Sequence, residues 1–354
     1  MQKFNEGRIL SLDLARGFTV LFIPIVHAVM LYGKTEVQDS GFGQVLTFIA
    51  EWPGAQVFML LMGVSFEFSS RTSFRSVFVR SVVLLILGYA LNFLKFVFPY
   101  LAGWLPENFL IDMGADGWVP LLLTGDILQF AGVSLMILWC VQQSPDRPLT
   151  ALLVGMFVCF ASPFPWIGNA HLIELASAGP PRVFFPLFPW LVYPLAGMVI
   201  GNALNEYGSK VFVVLVPIGC GLMLSSYCAK LNFVIAPDQS FYTMGPWSTL
   251  MHLGFVCVWI STWHLLTVLF DKLRISRNYF FSGLQFMSKR ITLIYLVQWP
   301  LIFWLIPVIG YKTLGVWPSV VIAIDIMLLT LLIALIIRKP RANRSSGGEE
   351  EASS

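Results

Sequence analysis

The sequence predicts an all-α integral-membrane protein, a polytopic bundle of about ten transmembrane helices with both termini in the cytoplasm. Three observations predict it. Of the 354 residues, 57% are hydrophobic and only 12% are charged, and the mean hydropathy is +0.77. Soluble domains carry about 25% charged residues, so this chain must place most of its surface in lipid. The apolar residues also fall in helix-length runs, not in the alternating segments of about ten residues that a membrane β-barrel shows. Finally, lysine and arginine are distributed one-sidedly around those runs. Together these exclude a cytosolic enzyme, a secreted domain, a disordered protein and a nucleic-acid binder with a basic face.

A span needs about 20 mostly apolar residues. Ten such runs cover roughly 12–33, 44–68, 77–98, 119–141, 149–167, 186–205, 210–230, 246–270, 290–310 and 318–338. Asp13 and Arg16 interrupt what would be the core of a cleaved leader, so the first run is expected to stay as a span. It also carries His27. The second holds Glu51 and Glu67, the third Asn92 and Lys95, and the fourth Asp126 and Gln129. The ninth holds Gln298 and the tenth Asp325. Pro99, Pro106, Gly117, Pro145, Pro148, Pro180, Pro181 and Pro237 mark boundaries between runs. No linker is long enough to divide the chain, so residues 1–338 read as one membrane domain. Residues 339–354 turn polar, basic and then acidic, and read as a disordered cytoplasmic tail.

With the N-terminus inside, only Lys34, Arg182, Lys230 and Lys312 of the 22 lysines and arginines fall on the outer side, and Lys95 lies within the third span. That bias fits an even number of spans. The five cysteines, Cys140, Cys159, Cys220, Cys228 and Cys257, sit in apolar runs without ligand spacing, so no metal is expected. A homodimer is compatible with the sequence but not specified by it.

Ionisable residues inside spans are costly, and each is a site hypothesis. In this topology His27, Glu51, Asn92, Lys95, Asp126 and Asp325 fall in the outer half, while Asp13, Arg16 and Glu67 fall near the inner face. Arg16 and His27 are eleven residues apart, three helical turns plus about 20°, so both project from one face roughly 16 Å apart. Asp13 lies one turn below Arg16. A donor with a charged head at Arg16 would present its far end to His27. The alternative for Asp13 and Arg16 is a structural ion pair at a helix start.

Arg8-Ile-Leu-Ser-Leu-Asp-Leu-Ala-Arg-Gly followed by Ile25-Val26-His27 resembles the opening of the transmembrane acyltransferase superfamily. That group includes bacterial O-acyltransferases with an Arg, ten residues, then a His. It also includes heparan-alpha-glucosaminide N-acetyltransferase-like proteins. Further blocks follow in order: Val57 to Ser65, Gly125 to Gln129, Phe188-Pro189-Trp190 through Ala196-Gly197-Met198, and Ile291 to Pro300. Many relatives have His where Gln298 stands, and the outer loop 34–43 lacks the His that the heparan enzymes carry there.

The resemblance implies an acyl-CoA donor, usually acetyl-CoA, entering from the cytosol, and an extracytoplasmic glycan or lipid-linked sugar as acceptor. It carries His27 over as the catalytic position and Arg16 as the accompanying one. The chemistry needs a base and donors for the developing oxyanion. Histidine suits the base, with Glu51 or, in reserve, Asp126 orienting it. Asp13 and Arg16 would hold the donor, while Asn92, Lys95, Gln298 and Trp190 would contact the substrates. His171 lies in an outer loop within reach of an acceptor, and His252 and His264 read as packing residues. The bacterial inner membrane is the location implied. Two other readings stand beside this one: a proton-coupled secondary transporter relaying protons through Glu51, Asp126 and Asp325, and a catalytically inactive membrane scaffold or sensor.

Overall fold

The computed structural model describes residues 9–163, 183–233, 238, 240–273 and 279–337. His171 and the acidic tail lie outside the described residues. Within them the chain forms ten principal helices and no strand. Eight are long and apolar enough to cross a bilayer: α1 (Leu10–Tyr32), α2 (Gly41–Glu67), α3 (Phe74–Leu101), α6 (Leu187–Tyr207), α7 (Lys210–Asn232), α8 (Pro246–Lys272), α9 (Tyr279–Ile309) and α10 (Val316–Ile336). Between α3 and α6 lie α4 (Ile127–Gln142) and α5 (Arg147–Ala161). At 16 and 15 residues these two are shorter than a full span. The protein is an integral membrane protein.

Helix ends follow local chemistry. Ser73 caps α3 by accepting from the Ser76 N–H, and Asp146 caps α5 by accepting from the Leu149 N–H. The Gly33 and Leu314 strands of backbone meet where α1 ends and α10 begins: Lys34 N–H donates to Leu314 O and Leu314 N–H to Tyr32 O. Since α1 and α10 also pack along each other, they run antiparallel, and Leu10 and Ile336 end at one face of the bundle.

Three departures from the expected spans matter for the site. The run 119–141 is not one helix. It divides into a short helix (Trp118–Leu123), an extended Thr124-Gly125-Asp126 segment, and α4. The Phe184 N–H donates to Gly125 O, which holds that segment against Val183. Helices α2 and α3 each contain a wide turn, at Ala50–Gly54 and Phe93–Val97. Proline explains both: Pro53 and Pro99 lack an N–H and crowd the carbonyl four residues back. In α3 the Phe98 N–H accordingly reaches back to Phe93 O. The ninth helix begins at 279 rather than 290 because Phe281, Leu284, Phe286 and Met287 pack into the core beside α1.

Close backbone contact holds α2 to α6. A Cβ at Gly197 would sit 2.0 Å from the Leu60 carbonyl oxygen, and one at Gly63 would sit 1.9 Å from Pro194 O. With Gly201 one turn on, this is the small-residue spacing by which membrane helices approach. Gly197→Val is expected to destabilise the protein by roughly 3 kcal/mol through overpacking. Thermal melting of the detergent-solubilised protein, followed by size-exclusion recovery, checks this; a wild-type melting temperature would contradict it.

Candidate functional site

A cavity of about 1060 Å³ opens at the end of the bundle where α1 ends and α10 begins. It follows α1 from Thr19 to Leu31, roughly 18 Å at helical rise. His27, Glu51, Lys95 and Asp126 all line it. The three irregular backbone segments supply three of these: Glu51 sits in the wide turn of α2, Lys95 in that of α3, and Asp126 at the break before α4. Irregular backbone at membrane depth is tolerated where it lines a cavity, and these irregularities do so.

Side chains brace the break. The Asp126 carboxylate caps α4: Oδ1 accepts from the Ile127 N–H at 2.7 Å, and Gln129 Oε1 accepts from the Asp126 N–H at 3.3 Å. Asn92 Nδ2 donates to the carbonyls of Leu122 (2.9 Å) and Thr124 (2.7 Å), which the interrupted helix leaves without partners. The same logic operates in α2, where Gln56 Nε2 donates to Glu51 O at 2.6 Å.

The second carboxylate oxygen of Asp126 forms an ion pair with Lys95, whose side chain is 1% exposed. Tyr295 Oη donates to Oδ1 at 2.9 Å. The Lys95 ammonium also lies over the Trp299 ring, 4.8 Å from its centroid. The His27 imidazole stacks on Trp299 at 4.1 Å and 25°. Its Nδ1 lies 3.1 Å from Gln298 Nε2. Among the described residues the Glu51 side chain makes no hydrogen bond.

The structure thus brings His27, Glu51, Lys95 and Asp126 to one cavity and corrects several expectations. Among the described residues neither the Glu51 nor the Asp126 carboxylate hydrogen-bonds to His27; the Gln298 amide meets it instead. Asn92 does not line the cavity, because both its donors are committed to the backbone break. Gln298 does not line it either, lying buried behind His27. Trp190 is buried in the core, its indole N–H donating to Tyr242 O at 2.8 Å, so it supports the cavity wall from behind. Tyr295 and Trp299 also line the cavity, beyond the residues the sequence singles out. Their signal was present: Tyr295, Gln298 and Trp299 are spaced i, i+3, i+4 on α9, and so share one face.

Below the cavity lies a second polar layer. Arg16 donates to the Leu61 carbonyl and to Ser65 Oγ, both at 3.3 Å, and Ser288 Oγ donates to Asp13 Oδ1 at 2.8 Å. Arg147 pairs with Glu67 at 3.6 Å. Arg16 is three residues from Thr19 at the cavity floor, about 4.5 Å along the axis. At the mouth, Asp112 accepts from Tyr311 Oη and Lys312 Nζ, each at 2.6 Å. The Asp112 bond raises the Lys312 ammonium above its ordinary value. His252 packs against Trp52 and His264 stacks on Phe212, as expected of packing residues.

Comparison with known families gives one finding. The family described as heparan-alpha-glucosaminide N-acetyltransferase, catalytic, matches residues 8–220. The match includes Asp13, Arg16, His27, Glu51, Lys95 and Asp126, and ends before α8, α9 and α10. No curated protein matches the chain.

Proposed function

The chain belongs to the heparan-alpha-glucosaminide N-acetyltransferase catalytic family, and we propose that it moves an acyl group, in the first instance acetyl, from cytosolic acyl-CoA to a hydroxyl or amine of an extracytoplasmic sugar. The acceptor is a glycan or a lipid-linked sugar, and the bacterial inner membrane is the setting that suits it. The observation that carries this reading is the order along α1. Arg16 lies in the lower polar layer, Thr19 marks the cavity floor, and His27 faces a cavity wide enough for a sugar. A donor held by its charged head near Asp13 and Arg16 would extend its thioester along that face.

His27 serves as the general base. The acceptor's proton moves to the imidazole as its oxygen or nitrogen bonds to the acyl carbon. The C–S bond then breaks, and the CoA thiolate leaves with the proton. The Lys95 ammonium, paired with Asp126, supplies positive charge at the cavity wall for the developing oxyanion. Glu51 lines the same cavity, free of hydrogen bonds among the described residues, which supports a role for it in contacting the acceptor.

Binding and slow hydrolysis of acetyl-CoA by the detergent-purified protein test this. Specific binding is expected, with hydrolysis that His27→Ala loses. Absence of binding by folded protein, for acetyl-CoA and longer acyl-CoAs alike, would overturn the reading. Arg16→Ala is expected to weaken acetyl-CoA binding by about tenfold or more, the scale of one charge-assisted contact of 1.5–3 kcal/mol. An unchanged affinity would return Arg16 to a purely structural role between α1 and α2.

A further inference from the structure

His27 has both its ring plane and one ring edge fixed by α9. Trp299 sets the plane by stacking at 4.1 Å. The Gln298 amide sets the edge, 3.1 Å from Nδ1. Gln298 is 0% exposed and does not line the cavity, so it has no path to a substrate. Nε2 is therefore the nitrogen left for the cavity that His27 lines.

An amide presents either a donor or an acceptor, and the end that meets Nδ1 decides where a neutral imidazole carries its proton. An amide N–H donating to Nδ1 places the ring proton on Nε2, and the cavity then meets a donor. An amide oxygen accepting from Nδ1–H leaves Nε2 bare, and the cavity then meets a base. Gln298 Oε1 is buried and has no hydrogen-bond partner among the described residues, an idle acceptor of the kind that calls for a role. Because the side-chain amide turns over about one torsion, its oxygen and nitrogen exchange places without moving the backbone.

We propose that Gln298 is the positioning residue that selects the His27 tautomer. In the reacting state Oε1 accepts from Nδ1–H, which keeps Nε2 bare to take the acceptor's proton. The imidazolium that forms keeps the same Nδ1–H bond until the proton leaves on the CoA thiol. This rests on the reading of His27 as the base. It assigns to a neutral amide the orienting task that a carboxylate performs in hydrolase triads.

The test compares Gln298→Met with Gln298→Glu in the full-length detergent-purified protein, with acetyl-CoA hydrolysis as readout. Met matches the length of Gln but offers no acceptor to Nδ1–H; Glu restores one. A tautomer role ranks Glu well above Met, with Met lowering kcat by roughly 10²-fold or more and KM for acetyl-CoA little changed. A packing role ranks them the other way, because Met suits a buried site and Glu brings an unpaired charge. Met equal to or above Glu overturns the proposal. Nitrogen-15 NMR of histidine-labelled wild-type protein, assigned with His27→Ala, gives a readout that needs no variant at position 298. With acetyl-CoA bound, an Nδ1–H tautomer is expected, and an Nε2–H tautomer overturns the proposal. Hydrolysis surviving in His27→Ala would instead remove the reading on which the proposal rests.

Discussion

Replacing His27 by alanine is expected to lower acyl transfer by roughly 10²- to 10⁴-fold, the range for a positioned general base, while leaving the protein folded. The ring is half-buried at a cavity wall rather than locked in the core, and among the described residues it meets the Gln298 amide and stacks on the Trp299 indole. Alanine is the best helix former, so α1 loses nothing by propensity. The substitution widens a space that is already a cavity, which limits the packing cost. A parallel His27→Phe keeps a ring to stack on Trp299 and removes both nitrogens. Both variants should melt near the wild-type temperature, bind acetyl-CoA and fail to transfer. Retained transfer in either folded variant would remove His27 from the chemistry.

Much of this site was legible in the sequence, and the reason is membrane physics. A charged group inside an apolar span is conspicuous, so His27, Glu51, Lys95 and Asp126 stood out one by one, and their common depth followed from span boundaries alone. Their partners were less legible. Nothing in one sequence tells that Lys95 reaches Asp126, because each sits at a helix irregularity whose direction depends on how neighbouring helices fill the gap. The break at 124–126 was hidden because Leu121, Leu122, Leu123 and Ile127 read as one continuous apolar run. Only the Gly125-Asp126 pair hinted at it, a helix breaker followed by a good N-cap. Asn92 is hard to read for a related reason: its buried amide answers carbonyls left without helical partners by that break. Gln298 and Trp190 shared their depth with the site but not its surface. Depth is one coordinate, and rotation about the helix axis is another that a span prediction leaves unset. The wide turns in α2 and α3 shift that rotation further, since each adds a residue to one turn.

Asp126→Ala is expected to be the most destabilising single change in the site, by about 3–5 kcal/mol, the cost of breaking a buried ion pair from one side. The Lys95 ammonium is buried among aromatic rings, and Asp126 is its carboxylate partner. Removing the acid strands that charge, and also removes the acceptor of Tyr295 and the cap of α4. These losses separate experimentally. Asp126→Asn keeps a cap and an acceptor for Tyr295 but removes the charge, so it should recover about 1 kcal/mol, the usual worth of a cap. Lys95→Met combined with Asp126→Ala removes both charges, and should be more stable than Asp126→Ala alone. A double-mutant cycle on melting free energies then isolates the coupling between the two groups, since they are in direct contact. If the pair also stabilises the oxyanion, the double variant regains stability without regaining transfer, because no positive charge remains at the cavity wall. Recovery of both together would make the pair a structural brace only. Additive single effects, with no coupling, would show that the two charges are solvated separately and contradict the buried pair itself.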